Sequence, residues 1–381
     1  MTTLRSVVDG LSRAADSGDS VVLATVVRVT GSSYGGVGAR MLVRVDGSTV
    51  GLISGGCLES DIAEHALRVH ATRTPEVVTY DTRDDDDAPW GLGLGCNGLI
   101  EVLLEPLDPE SAVAIAALLD RALSSDAPSV LATVTRVTEA ADGSPGVGAH
   151  VLFTGDSSWK TGDWGQGLLP ATASAATGDA LAAGRRGFVH EYGDVELAFE
   201  VVIPAVHLLV CGSGPDAAPI VHFGCSVGWD VIVVDHRPPV DARAGRFPGA
   251  RVIECSEALR LAEAVSLTPR TAGVVVSHHF ARDLDYVQAL LISDVCYVGV
   301  LGPRARTRRM LDELAARGVP LDSTERIFAP VGLDIGGDGP EAIALAIITE
   351  ISAVTNGRSG GHLRDRRGPM HADSRQRANS R

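Results

Sequence analysis

The sequence reads as an α/β protein in two parts, a duplicated α+β module followed by a doubly wound parallel sheet. Three observations predict it. A stretch of the front half recurs: VVLATVVRVTGSSYGGVGARMLVRVDG (21–47) matches SVLATVTRVTEAADGSPGVGAHVLFTG (129–155), with two residues inserted. From Val206 onward, short apolar runs alternate with helical patterns, as strands and crossover helices do in a parallel sheet. The first of these units carries a glycine turn, and an acid closes the next strand.

Bulk properties narrow the class. The chain has 381 residues, 45% hydrophobic but only 4% aromatic, with 43 glycines, enough for two or three domains with separate cores. A formal net charge of −15 argues against a nucleic-acid surface, which needs a basic stripe, so the partners expected are small molecules or proteins. The first residues lack the basic-then-apolar order of a secretory signal. No apolar run approaches the ~20 residues that span a bilayer. A cytoplasmic location, no membrane span and reduced thiols are therefore expected. The six cysteines, at 57, 96, 211, 225, 255 and 296, form no CxxC pair, which leaves a structural zinc site without support.

In the first copy, VRVDGSTVGLI (43–53) predicts two strands around a turn at Asp46-Gly47. Ser54, Gly55, Gly56 and Cys57 follow, and then Leu58, Ile62, Ala66 and Val69 recur at helical spacing. Cys57 thus falls at a strand-to-helix junction, where unpaired N–H groups and the helix dipole favour a thiolate. Glu59 and Asp61 oppose that effect, and a plain packing thiol is the alternative reading. Cys96 stands in GLGLGCNG (91–98), whose glycines let a ligand approach the backbone. The acidic run Asp84 to Asp87 predicts an exposed loop.

The second copy has TGDWGQG (161–167) at the junction and retains neither cysteine, which favours a functional role for both. Its close, AFEVVIP (198–204), resembles LIEVLLEP (99–106), a match that sets Glu200 against Glu101. Each module is roughly ninety residues, an ordinary size for a small domain. The expected divisions are 1–108 for the first module, 109–205 for its degenerate copy and 206–357 for the parallel-sheet domain. The polar tail 358–381 is expected to be disordered.

In the back half, Gly212, Gly214 and Ala217 fit the G-x-G-x-x-G/A turn of a Rossmann-like fold, with Asp235 placed to meet a ribose. The loops at 212–214, 235–237, 277–279, 302–304 and 332–337 all follow strands and so share the rim where such sheets bind ligands. Candidate ligand residues there are Gly212, Gly214, Asp235, His279, Gly302, Arg304 and Asp334. His278 and His279 end a strand and, being adjacent, face opposite ways. One could donate a proton, which supports an alternative function, an NAD(P)-dependent oxidoreductase using Gly212, Gly214 and Asp235. A cap or an oligomer contact is the plain reading of the same histidines.

Taken together, VTGSSYGGVGARMLVRVDGSTVGLISGGCLESDIAEHA, VTYDTRDDDDAPWGLGLGCNGLIEVLLEP, GSGP, YVGVLGPRAR and APVGLDIGGDGPEAIALAIITEI resemble the XdhC/CoxI family of xanthine dehydrogenase accessory proteins. The resemblance covers about 10–106 and 206–355 and leaves the middle copy unexplained. It implies a non-enzymatic cofactor-insertion chaperone that binds the molybdenum cofactor (molybdopterin) and supports its sulfuration with a cysteine desulfurase. Delivery to a xanthine dehydrogenase or CO dehydrogenase-type molybdenum hydroxylase apoenzyme would follow. In that setting Cys57, a soft sulfur donor, could touch the molybdenum or carry sulfur, with Ser54, Gly55, Gly56 and Cys96 beside it. A homodimer is expected.

Overall fold

The computed structural model describes residues 4–31, 33–81, 98–166, 169–183, 185–237, 245–319 and 325–365. Two compact units divide the chain, one built on Thr2–Pro204 and the other on Ala205–Arg366.

The front unit runs through α1 (Leu4–Asp16), β1 (Val21–Gly31), β2 (Arg40–Arg44), β3 (Thr49–Gly51), α2 (Glu59–Thr72), β4 (Glu76–Asp81) and β5 (Gly98–Leu107). The same series then repeats as α3 (Pro109–Ser124), β6 (Ser129–Val137), β7 (His150–Thr154), β8 (Ser157–Thr161), α4 (Leu169–Ala183), β9 (Gly187–Tyr192) and β10 (Val195–Val202). The two five-stranded sheets have matching orders, β3-β2-β1-β5-β4 and β8-β7-β6-β10-β9. α3 starts where Asp108 accepts the Ser111 N–H at 2.8 Å and Pro109 fills the first position. Val7 and Leu11 of α1 share a core with Ile115 and Leu119 of α3, over Leu23 and Leu42 of one sheet and Leu131 and Leu152 of the other. The far face of the first sheet is covered by Ile62, Ala66 and Val69 of α2. Burial on both faces explains why β1 begins with seven consecutive buried residues instead of an alternating pattern.

Strand register corrects one sequence match. Arg28 lies opposite Glu101 in the first sheet, and Arg136 lies opposite Glu196 in the second. Glu196, not Glu200, is therefore the counterpart of Glu101, and Glu200 that of Glu105. A shift of four preserves the faces of a strand, so an apolar strand with glutamates four apart matches equally well in either register. Both copies skip one residue at the equivalent place, Val27 in β1 and Thr135 in β6, which marks the same bulge.

Charges join the copies by a self-consistent rule. Arg40, from the first copy, donates to Glu200 of the second at 3.0 and 2.5 Å. Its counterpart His150 pairs with Glu105 of the first at 2.8 Å. Reciprocal contacts of this kind are those of a two-fold interface, here between halves of one chain. Both carboxylates press on a glycine: a Cβ on Gly38 would lie 2.2 Å from Glu200 Oε1, and one on Gly148 2.9 Å from Glu105 Oε1. Arg28 bridges the copies as well, at 2.8 Å from Glu101 and 2.5 Å from Glu196. Arg136 is 49% exposed and only 3.8–4.0 Å from the same acids. Arg136→Ala should therefore change unfolding free energy by less than about 1 kcal/mol in urea titration.

The back unit contains β11 (His207–Cys211), α5 (Ala217–Ser226), β12 (Asp230–Asp235), β13 (Arg251–Glu254), α6 (Leu261–Ala264) and β14 (Thr271–Val275). It continues through α7 (Phe280–Leu291), β15 (Tyr297–Val300), α8 (Arg304–Ala316), β16 (Ile327–Phe328) and α9 (Pro340–Thr355). All pairings are parallel, in the order β13-β12-β11-β14-β15-β16. This is the Rossmann order, third, second, first, fourth, fifth, sixth, with its switch point between β11 and β14. Ile220 and Val221 of α5 pack with Ile347 and Ile348 of α9 on one face. Leu284, Val287 and Leu290 of α7 pack with Met310 of α8 on the other. Within the tail expected to be disordered from 358, Leu363–Asp365 form a short 3-10 turn, and 366–381 lie outside the described residues. Among the described residues, no helix is long and apolar enough to cross a membrane.

Candidate functional site

The loop from Leu52 to Leu58 leaves β3 and opens α2. Gly55 and Gly56 take φ of +80° and +115°, a backbone region open to glycine, and this turns Cys57 outward. Cys57 is a free thiol and exposed. A second loop supports the first: a Cβ on Gly35 would meet Ile53 O at 2.3 Å, so the two backbones are in close contact. The Tyr34 ring, 65% exposed, covers Gly55, with ring atoms 3.3–3.4 Å from where a Cβ would stand.

The amides expected to face the Cys57 sulfur are used otherwise. Glu59 folds its carboxylate back into the junction, where Oε1 accepts the N–H groups of Ile53 at 3.0 Å and Ser54 at 2.6 Å. Its Oε2 accepts from Gly56 N–H at 2.8 Å, Leu58 N–H at 3.2 Å and Ser54 Oγ at 2.6 Å. Burial would raise the Glu59 pKa, but the Ser54 hydroxyl and the Ser54 and Ile53 amides overcome it and bring it to about 2. Sequence patterning presents Glu59 only as a charge opposing the thiolate. An acid in the first helical turn after two glycines is the signal for its second role, since such acids favour free N–H groups. Behind the loop, Tyr80 of β4 donates to Asp61 of α2 at 2.7 Å, and burial followed by Asp61 keeps that phenol protonated.

In the second copy a tryptophan stands just beyond the end of the corresponding strand. Trp164, 7% exposed, donates its indole N–H to His150 O at 3.0 Å and Thr161 O at 3.1 Å. No cysteine stands in 161–167, and the Trp164 indole is buried where the first copy has Ser54. Cys96, with Gly91, Gly93 and Gly95 and the run Asp84 to Asp87, lies outside the described residues.

At the rim of the back unit, Gly212 has φ +129°, and a Cβ there would be 2.7 Å from Val276 O, so the loops after β11 and β14 touch. Asp235 is already satisfied. Its Oδ2 accepts from Ser213 N at 3.0 Å, Ser213 Oγ at 2.6 Å and Arg237 Nη2 at 3.0 Å. Its Oδ1 accepts from Arg237 N at 3.0 Å and Nε at 2.8 Å. Burial opposes ionisation, yet the Arg237 and Ser213 hydrogen bonds hold the carboxyl far below the usual range. A ribose would have to displace these groups.

Of the two histidines, His278 is the one engaged. Its φ is +60°, and its Nε2 meets Asp216 Oδ2 at 2.6 Å beside the switch point. His279 caps α7 through its backbone, and its side chain is exposed. Gly302 takes φ +137°, while Arg304 and Asp334 are exposed. Arg306, close in sequence to Arg308 and Arg309, instead turns inward to Asp283 at 2.7 Å. Among the described residues, no group of three or more His, Cys, Asp or Glu side chains could hold a metal ion.

A thiol-bearing, glycine-lined module in the same chain as a Rossmann sheet defines a two-part class of protein, and comparisons with known proteins identify it. Residues 14–81 match "XdhC and CoxI family" and residues 208–351 match "XdhC Rossmann domain". A relative from Bacillus subtilis (strain 168), named as a probable subunit of xanthine dehydrogenase, is 30% identical over 87% of this chain and 92% of its own length. The chain belongs to the XdhC and CoxI family. The "Molybdenum cofactor insertion chaperone PaoD" of Escherichia coli (strain K12) is 25% identical over 93% of this chain and 88% of its own. A crystal structure described as a xanthine dehydrogenase from Bacillus halodurans superposes with a TM-score of 0.72 at 31% identity, covering 93% of this chain and 96% of that one. The two family matches flank the second copy, which falls between them.

Proposed function

We propose that this protein is a maturation factor for a molybdenum hydroxylase. It binds the molybdenum cofactor as cargo, holds it while a cysteine desulfurase supplies sulfur, and delivers it to a xanthine dehydrogenase or CO dehydrogenase-type apoenzyme. The observation that carries this reading is Cys57, an exposed thiol on a loop already ordered by Glu59 and found in one copy alone. A soft sulfur ligand suits molybdenum, and the thiol approaches it without rearranging the loop. Tyr34 offers an aromatic face next to the same glycines. Cys96 is proposed to act with Cys57, and the working unit is proposed to be a homodimer in the cytoplasm.

Cys57→Ala should weaken molybdopterin binding at least tenfold and reduce activation of the apoenzyme, with the melting temperature unchanged because the side chain is exposed. Unaltered transfer by the variant would end this reading. The oxidoreductase alternative needs Asp235 to give up Ser213 or Arg237. Titration with NAD(P)H, compared between wild type and Asp235→Ala, separates it from the first.

A further inference from the structure

Arg282 and Tyr286 stand four residues apart on α7 and so share one face of that helix. Tyr286 is 0% exposed, yet its hydroxyl has no hydrogen-bond partner in the protein. The buried Nη1 of Arg282 has none either, although the residue as a whole is half-buried. Tyr286 packs in one buried core with Cys211 and Cys255, and the charges of Asp235 and Arg282 reach its phenol. Cys211 and Asp235 end β11 and β12, and Cys255 directly follows β13. The cluster therefore lies at the carboxyl ends of three neighbouring strands, the side of such a sheet on which ligands bind.

The chemistry of the cluster is one-sided. Burial keeps Tyr286 a neutral phenol, and burial likewise keeps Cys211 and Cys255 as thiols, so none of the three supplies a negative charge. Asp235 is committed to Arg237 and Ser213 and Asp283 to Arg306 and Ser277, and Glu257, whose charge reaches Cys255, is exposed. Among the described residues, Arg282 has no carboxylate partner. Leaving a buried donor unmet costs about 1–3 kcal/mol, more when it is charged, so two adjacent ones call for an acceptor from outside the chain.

We propose that Arg282 Nη1 and Tyr286 Oη form an oxyanion subsite that receives a phosphoryl group at the carboxyl-end rim. The guanidinium supplies charge and the phenol a neutral hydrogen bond. This goes beyond the cofactor reading and is tested without molybdopterin or Cys57, so either can fail alone. Full-length wild type, Arg282→Gln and Tyr286→Phe are titrated with inorganic phosphate and, separately, with a nucleoside monophosphate, by calorimetry and thermal shift.

Saturable binding is expected for wild type, about tenfold weaker in Tyr286→Phe, the loss of one hydrogen bond to an anion, and absent in Arg282→Gln. Preference for the monoester would mark an esterified ligand, and equal affinity a free anion; both support the subsite. Tyr286→Phe removes only an unpartnered hydroxyl, so it folds and decides the matter even if Arg282→Gln does not. Equal phosphate binding by wild type and Tyr286→Phe, or none by wild type, would overturn the proposal and assign the pair to a bridging water.

Discussion

Asp283→Ala is expected to lower the unfolding free energy of the back unit by about 2–4 kcal/mol, because it removes a buried acceptor of three hydrogen bonds and leaves the partly buried Arg306 unpaired. Asp283 is 0% exposed. Its Oδ1 accepts from the Ser277 hydroxyl and from Ser277 N–H at 3.2 Å, and its Oδ2 meets Arg306 Nη2 at 2.7 Å. Arg306 in turn donates to Leu301 O at 3.2 Å and lies over the Phe280 ring. One carboxylate thus ties the loop after β14 to the start of α8. Asp283→Asn keeps an acceptor for Ser277 but no charge for Arg306, so an intermediate loss is expected. Urea denaturation of the three proteins checks the order. Equal stability of wild type and Asp283→Ala would mean that Arg306 escapes to water at no cost.

Glu59→Ala is expected to disable the proposed cofactor transfer as severely as Cys57→Ala while leaving the thiol in place. The carboxylate satisfies four amides and the Ser54 hydroxyl, and without it the turn carrying Cys57 loses the acceptor that orders it. Net hydrogen bonds to a charged group are worth about 1.5–3 kcal/mol each in favourable cases. Sharing among donors and partial exposure reduce the total, and about 2–4 kcal/mol is expected for the variant. The effect also has a pH signature. The Glu59 pKa falls from 4.5 to about 2 on folding, so its contribution is fully present above about pH 4.5 and is lost as pH falls towards 2. Glu59→Gln should lack that portion of the acid-induced loss. Denaturation midpoints for both proteins across this window test it, and parallel pH profiles would remove Glu59 from the role of positioning residue.

Much of the architecture was legible in the sequence. The repeat in the front half predicted two like modules, and they appear as two sheets with one strand order. Alternating strand and helix patterns from Val206 predicted the parallel sheet, and Gly212 does hold the tight turn at its switch point. Such features depend on neighbours along the chain, where side-chain period and turn chemistry act. Cys57 was legible as well, because two glycines before a helical pattern mark a junction whatever surrounds it.

The chain alone determined where strands, helices and turns lie and which residues open the junction at Cys57. Tertiary structure decided who satisfies whom. Arg40 finds its carboxylate 160 positions away, on Glu200. Asp235, placed by spacing to meet a ribose, is occupied by Ser213 from 22 positions upstream and by its neighbour Arg237. Trp164 of the second copy is held by donating to carbonyls of His150 and Thr161. Periodicity encodes which face of an element is buried, whereas the partner of a buried charge depends on which distant segment arrives opposite it. That is set only when the elements pack.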